Sequence, residues 1–403
     1  MSRLNLMELW GNTQGGSDHS DSRITIMRFF IGSIISVFFL VFSVLNNQAQ
    51  TDLPESVAAL WQQAQSQPED FGVACMPVNG GRPVLYNGDR FPLASVSKIL
   101  IFIEYAQRLD TGEIQLGETV SLAALERYNL PRTDRGAHDR FIAQYAAGTT
   151  SLPLWEVATD GMIQFSSNAA SDYLLDRLAP VDWDALYATL GIFQTDVPTP
   201  LTMIPLLMNN HDTGRVGQND LDDLSALDGE MYMSLYVNDS DWRQDEIAYR
   251  SGGSAFIDRS GSIWPSWDVQ STILQAYTAT GNVNDFRNIM NAIYSQNSPL
   301  SGNVQYMTRT AMQWSGNQYI SDNYAEYGSK LGFYSGGVMT LIAYGDAYAG
   351  TPTISVIFMR NIPRRDYYDL LREDSIGDFA HWLNFNGCDA LKALIDTELN
   401  ADH

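Results

Sequence analysis

Apolar positions along the chain follow two different periods. In ESVAALWQQAQ (55–65) they recur every three or four residues, which predicts a helix with one buried face. FGVACMPV (71–78) and RPVLYN (82–87) are short strand-like runs around Asn79-Gly80-Gly81, the composition of a hairpin turn. KILIFIEYAQRL (98–109) is apolar on almost every side and predicts a buried helix closed by Gly112. LWEVATDGMIQF (154–165) and ASDYLLDRL (170–178) predict two helices around a short polar break. VMTLIAYGD (338–346) and TISVIFMR (353–360) read as two late strands. YYDLLREDSIGDFAHWLN (367–384) reads as a C-terminal helix, broken or kinked near Gly377. Residues 205–325 are mixed, acidic and aromatic, with turn signals. This order predicts an α+β fold: an antiparallel sheet completed from both ends of the chain, flanked by helices, with an α-rich insert. No repeat or low-complexity linker interrupts 51–403, so these residues read as one domain.

The N-terminal stretch has a different character. An uncharged run, FFIGSIISVFFLVFSVL, extends over 17 residues from Phe29 to Leu45 behind Arg28, and polar NNQAQ follows it. It is just short of a comfortable membrane span. With Ala49 as the small residue of a cleavage site, it reads as an export signal, and Met27 offers an alternative start. Residues 1–50 are therefore a leader, and the mature protein is expected to be periplasmic or secreted. The alternative is a retained anchor through residues 29–45, with the domain facing the periplasm.

Composition narrows the function. The 403 residues are 45% apolar, enough for a large core, but only 18% charged, with a net charge of −23. Nucleic acid is excluded as a partner, because phosphate binding needs clustered Lys and Arg. Two cysteines and five histidines, with no C-x-x-C, H-x-x-x-H or H-E-x-x-H, leave no zinc site of ordinary spacing, so neither a metal nor an organic cofactor is expected. Cys75 and Cys388 either form one disulfide in an oxidising compartment or remain two buried thiols. Of the 24 basic residues only Lys98, Lys330 and Lys392 are lysines. A chain that uses arginine for plain positive charge has kept lysine where an amine that can lose its proton is useful.

Two of those lysines lie in patterns that carry chemistry. In FPLASVSK (91–98), Ser95 precedes Lys98 by three residues at the head of the buried helix. That spacing lets an amine touch the hydroxyl, and a desolvated amine can act as its base. The bland alternative is a Ser N-cap with a solvated Lys; few polar faces on this helix argue against it. Ser166-Ser167-Asn168 occupies the break between two helices, where a hydroxyl can relay a proton and an amide can hold a substrate carbonyl, or where the three simply make a turn. Lys330-Leu331-Gly332 begins a late strand, with Lys330 a fixed charge for a substrate carboxylate and Gly332 a point of close approach.

The order and contexts of these three motifs resemble the class A β-lactamase and penicillin-binding-protein group of serine hydrolases. FPLASVSK, RLDTGEIQLGETVSL (108–122) and MIQFSSNAASDYLLDRL (162–178) all look like stretches of class A-like enzymes, and the resemblance covers most of 55–200 and 326–385. It implies a β-lactamase/transpeptidase-like fold with an all-α subdomain. It also implies a Ser95 acyl-enzyme formed on a β-lactam or related amide or ester. Lys98 is then the base, Ser166 the proton carrier to the leaving group, and Lys330 the support for that hydroxyl and for the substrate anion. Asn168 orients the substrate, and the N–H groups of Ser95 and Phe333 form the oxyanion hole beside Gly332. The implied partner is a small-molecule or peptidoglycan-like substrate. Alternatives are a D-Ala-D-Ala-type peptidase or esterase with weak lactam turnover, and a non-catalytic penicillin-recognising domain.

The chain also departs from that pattern. Leu331 stands where the family usually has Thr or Ser, and Ser167 where class A enzymes usually have Asp. The glutamate that directs water onto the acyl-enzyme in class A enzymes has no counterpart in LGIFQTDVPTPLTMI (190–204), and Asp196 is not equated with it. YNLPRTDRGAH (128–138) resembles a signature of a lactamase-like subgroup, which puts Thr133, Asp134 and His138 at the rim of the active site. The alternative is a loop held by an Asx-type turn with His138 satisfied by backbone. No catalytic role is expected of His138.

Overall fold

The computed structural model describes residues 53–399 except 79, 253–263 and 315. The leader read in residues 1–50 lies outside the described residues. Among these, no helix is long and apolar enough to cross a membrane.

Five strands form the central sheet: β1 (Phe71–Pro77), β2 (Val84–Tyr86), β3 (Tyr324–Tyr334), β4 (Val338–Ala347) and β5 (Thr353–Met359). Their order is β2-β1-β5-β4-β3 and every neighbouring pair is antiparallel. β1 lies against β5, with Phe71 opposite Met359, so the sheet is completed from both ends of the chain as expected. Successive residues of β5 point to opposite faces. Val356 and Phe358 enter one apolar cluster, Ile357 and Met359 another. A strand covered on both faces has no polar alternation, which is why TISVIFM reads as a continuous apolar run.

The helices used below are α1 (Glu55–Ser66), α2 (Lys98–Thr111), α3 (Ala137–Tyr145), α4 (Asn168–Leu178), α5 (Met203–Met208), α6 (Trp267–Tyr277), α7 (Val283–Tyr294), α8 (Gly302–Met312), α9 (Arg364–Arg372) and α10 (Ser375–Leu394). α1 and α10 cover one face of the sheet, with Trp61 stacked on Phe379 at 6.1 Å and edge-on to Phe71 at 5.9 Å. α7 packs on the other face. α2 is enclosed by α4, α8 and the π-helical stretch before α4, so Ile99, Leu100, Ile101, Phe102 and Ile103 are all buried, and its polar residues Glu104, Gln107, Arg108 and Asp110 fall in the second half of the helix. The 205–325 stretch is α-rich, as expected, and a third cluster joins α5 and α6 to Tyr334 and Val338 at the end of the sheet. Cys75 and Cys388 are paired, tying β1 to α10 across a sequence separation of 313 residues.

One expectation is corrected. The strand that carries Lys330 does not begin there: it starts at Tyr324, upstream of the motif. The aromatic and small residues of YAEYGS hid its alternation. The C-terminal helical stretch breaks near Gly377 as expected, at Glu373-Asp374, with Asp374 in left-handed backbone (φ 54°). Gly377 makes that break possible, since a Cβ there would sit 2.8 Å from the Asp374 carboxylate oxygens.

Reducing the Cys75–Cys388 bridge, or the double change Cys75→Ser/Cys388→Ser, should lower the unfolding free energy by about 2–5 kcal/mol. Urea denaturation in the presence and absence of reductant measures this, and coincident curves would show that the bridge does not form.

Candidate active site

The site is built where three remote segments meet: the head of α2, the turn before α4, and β3. Ser95 lies in a 3₁₀ turn (Ala94–Ser97) directly ahead of α2 and is partly exposed to the cleft. Ala94 holds left-handed backbone (φ 48°), an unfavourable state for a residue with a Cβ. β3 is the edge strand of the sheet, and its far end is bridged at Gly328 by Gln313, while the stretch from Ser329 to Ser335 borders the cleft. Gly332 brings this strand against the serine. A Cβ at Gly332 would fall 2.8 Å from Ser95 N and 2.4 Å from Thr340 Oγ1. Thr340 Oγ1 in turn donates to Leu93 O (2.9 Å), so the strand pair and the serine turn are fixed to each other.

Lys98 is fully buried and Lys330 is 3% exposed. Lys98 Nζ donates to Ser166 O (2.6 Å) and lies within hydrogen-bond reach of Ser166 Oγ (3.2 Å) and Asn168 Oδ1 (3.0 Å). Lys330 Nζ reaches the same Ser166 Oγ (2.9 Å) and Leu331 O (3.1 Å). One hydroxyl thus sits between two buried amines. The expected direct contact of Lys98 with Ser95 is absent among the described residues. Ser95 belongs to a 3₁₀ turn rather than to the regular helix, and the amine points across to the turn before α4 instead. Catalytic hydrogen bonds are often incomplete without substrate, so the displacement leaves the chemistry open. Ser166 also holds left-handed backbone (φ 63°), at the end of a π-helical stretch, Val157–Gln164. Strained backbone and π-turns collect at functional sites. The structure therefore brings Ser95, Ser166, Asn168, Lys330 and Phe333 to one cleft, with Lys98 behind them and Gly332 beneath Ser95.

Burial pushes the Lys98 amine down to about 7, although Asp134 and Asp172 pull the other way. Burial, and then the charge of Lys98, holds Lys330 well below the usual lysine range. Two amines around one hydroxyl in a dry site cannot cheaply both carry protons.

Sequence reasoning missed several supports. Asp172, one turn along α4 from Asn168, is buried and accepts the N–H groups of Leu201 (2.8 Å) and Thr202 (2.9 Å), anchoring the approach to α5. Its spacing from Asn168 was the available signal. His138 is buried and bonded to side chains, not to backbone, while Asp134 borders the cleft. Asp196 is held by Arg90 and by Thr280 N (2.9 Å) and Oγ1 (2.8 Å), away from the cleft lining, consistent with not equating it with a deacylating glutamate.

The cleft encloses about 1,290 Å³. Its lining carboxylates are Asp134, Asp139 and Asp160, while the α5 side is apolar, with Ile204, Pro205 and Met208. Two atoms of lining residues, Tyr334 Oη and Gln270 Oε1, are buried without a hydrogen-bond partner among the described residues. No group of His, Cys, Asp and Glu among the described residues is arranged to hold a metal ion.

Residues 52–232 match the model of the β-lactamase enzyme family. That stretch is β-lactamase-family sequence. The match extends into the region for which the sequence itself showed no resemblance. No curated protein matches the chain. Among solved structures, a β-lactamase from Sphaerobacter thermophilus is 15% identical, covering 85% of this chain and 97% of its own (TM-score 0.49). A β-lactamase from Chitinophaga pinensis is 14% identical over 81% of this chain and 100% of its own (TM-score 0.49). PBP-A is 17% identical over 80% of this chain and 95% of its own (TM-score 0.46). The β-lactamase/transpeptidase-like fold rests on the family match together with the topology: an antiparallel sheet closed by both chain ends, with two of the motifs on an α-rich layer beside the edge strand that carries the third.

If Lys98 is the base for acylation at Ser95, acylation should rise with pH through about 7, because Lys98 can accept a proton only after losing its own. Below that point the rate should fall about tenfold per pH unit. Lys98→Arg should cost at least about 10²-fold, since arginine does not deprotonate, and Lys330→Arg should cost less. Stopped-flow acylation by a chromogenic lactam or ester across pH 5–9 checks both, and equal losses in the two variants would refute the division of roles.

Proposed function

We propose that this β-lactamase-family protein is an exported serine hydrolase that forms an acyl-enzyme at Ser95 on a β-lactam or a related amide or ester. The observation that supports it most is the Ser166 hydroxyl held between Lys98 and Lys330 in a cleft that also exposes Ser95. In this reading the neutral Lys98 amine takes the Ser95 proton, with Ser166 as the bridge, while Ser95 Oγ bonds to the carbonyl carbon. The oxyanion lies between the N–H groups of Ser95 and Phe333, in line with β3 being an edge strand pinned to the serine turn. The carbon–nitrogen or carbon–oxygen bond then breaks. Ser166 gives its proton to the leaving atom and is reprotonated from the lysines. A substrate carboxylate next to Lys330 would restore that amine's charge, so anion binding and proton supply are coupled. Water finally cleaves the acyl ester.

A second reading, a peptidase or esterase with weak lactam turnover, is favoured by one feature. The α5 wall of the cleft is apolar, with Ile204, Pro205 and Met208, and the class A glutamate has no counterpart in residues 190–204. A non-catalytic role fits poorly with two buried lysines around one hydroxyl, which cost stability and serve no packing purpose. Export is supported by the hydrophobic run at 29–45 and by the Cys75–Cys388 disulfide, a bond of oxidising compartments.

With nitrocefin or penicillin the protein should show a burst of about one equivalent and then slow turnover, since loss of general-base assistance costs 10²–10⁴-fold in the hydrolytic step. Intact-mass spectrometry should find the adduct on Ser95 and none in Ser95→Ala. Fast steady-state hydrolysis without a burst would show that another base serves deacylation. Mature protein should begin near Gln50 or Thr51; an N-terminus at Met1 or Met27 on membrane-bound protein would favour the anchor instead.

A further inference from the structure

The stretch from Leu130 to His138 is not used by the chemistry above, yet its parts are closely fitted. Thr133 Oγ1 donates to Leu130 O (2.8 Å), and the Asp134 carboxylate accepts the N–H groups of Ala137 (3.1 Å) and His138 (3.0 Å), capping α3. This aims the His138 ring at the turn before α4. His138 is 1% exposed and Ser167 is fully buried. His138 Nδ1 lies 2.9 Å from Ser167 Oγ, and Nε2 lies 3.2 Å from Glu126 Oε1. Ser167 Oγ already accepts Ala170 N–H (3.1 Å) as the N-cap of α4. Its single proton is therefore free to go to Nδ1, which leaves Nε2–H to donate to the carboxylate. The chain Ala170 → Ser167 → His138 → Glu126 runs in one direction with every group satisfied.

Serine, histidine and glutamate in this order invite comparison with a nucleophilic triad. Ser167 is sealed from the cleft, however, and has no path to a substrate. Ser167 directly follows Ser166, the residue whose left-handed conformation presents both its carbonyl and its hydroxyl to Lys98. We propose that His138 is a positioning residue which, through Ser167, locks this turn so that Ser166 sits between Lys98 and Lys330. The proposal rests on the proposed proton-carrying role of Ser166. Glu126, about half exposed, fixes the ring tautomer from outside the core.

The test uses four variants, with acylation by penicillin resolved into a binding constant and a rate constant. His138→Ala should lower the acylation rate constant by about 10²-fold, with the binding constant changed by less than about threefold. His138→Asn, whose Oδ1 can still accept the Ser167 proton, should recover most of that loss; His138→Gln, which reaches only toward Glu126, should not. Ser167→Ala should match His138→Ala, and the double variant should be no worse than either, because both act through one turn. Equal effects of Asn and Gln, or wild-type acylation in all variants with only the melting temperature lowered, would overturn the proposal. The imidazole ¹⁵N resonances of the wild-type protein give a readout independent of catalysis: Nδ1 should be unprotonated and Nε2 protonated, and the opposite tautomer also overturns it. If the wild type forms no Ser95 adduct at all, the proposed function fails, while the tautomer still decides whether the brace exists.

Discussion

Two primary amines buried around one serine hydroxyl set the terms for the rest of this molecule. Removing an ammonium from water costs several kcal/mol, and a second like charge beside it adds to that cost. The arrangement persists only if the surrounding fold is rigid enough to deny both lysines a route to solvent. α2 meets this demand by being apolar on nearly every side, so that Lys98 has no flank along which to extend. β3 meets it by placing Lys330 opposite Ile342 of β4, with the amine directed at Ser166. The lowered proton affinity of Lys98 is a direct result, and it converts an ordinary helix lysine into a group able to act as a base near neutral pH.

Such a site cannot tolerate much relative motion of its three parts, and the structure spends conformational strain to prevent it. Ala94 and Ser166 each hold left-handed backbone on either side of the reacting hydroxyls. Non-glycine residues in that region cost of order 1–3 kcal/mol each. Packing elsewhere offsets this. The Gly332–Thr340–Leu93 contact locks the sheet edge to the serine turn, and Asp172 locks α4 to the approach of α5. Beyond these, the pairing of β1 with β5 and the Cys75–Cys388 bridge join the chain ends behind the sheet, so the strands that carry Lys330 and support Gly332 rest on a closed core.

The features legible in the sequence were those encoded by local spacing. α1, α2, α4, β1, β4 and β5 each announced themselves by period and by end signals such as Gly112, which holds the left-handed C-cap of α2 (φ 79°). The three short motifs named the residues that the fold then gathered: Ser95, Ser166, Asn168, Lys330 and Phe333 along the cleft, with Lys98 buried behind. What stayed hidden depended on partners far along the chain. The choice of Lys98 between Ser95 and Ser166 is made by a segment 68 residues away. The break at Asp374 depends on a left-handed aspartate, a conformation that aspartate tolerates better than most residues but that its neighbours in sequence do not announce. The bond between His138 and Ser167 spans 29 residues, and neither residue type is informative alone. The pairing of Cys75 with Cys388 had equal claims from sequence with two free thiols until the fold placed β1 beside α10.

The apolar α5 wall and the lowered Lys98 are two consequences of one arrangement. A carboxylate within about 4–6 Å of a lysine raises its pKa by one to three units. A glutamate close to Lys98 would add its charge to those of Asp134 and Asp172, which already oppose the effect of burial on Lys98. The amine would then hold its proton through the neutral range and lose its fitness as the acylating base. A deacylating glutamate near this lysine and a lysine that is itself the base are thus competing solutions within one small, dry volume. Ile204 shares a cluster with Ala94 and Ala169, the neighbours of Ser95 and Asn168, so the wall that lines the cleft also packs against the segments that carry the site. On the proposed reading, in which Lys98 is the base, an apolar wall therefore suits the site better than a further carboxylate would.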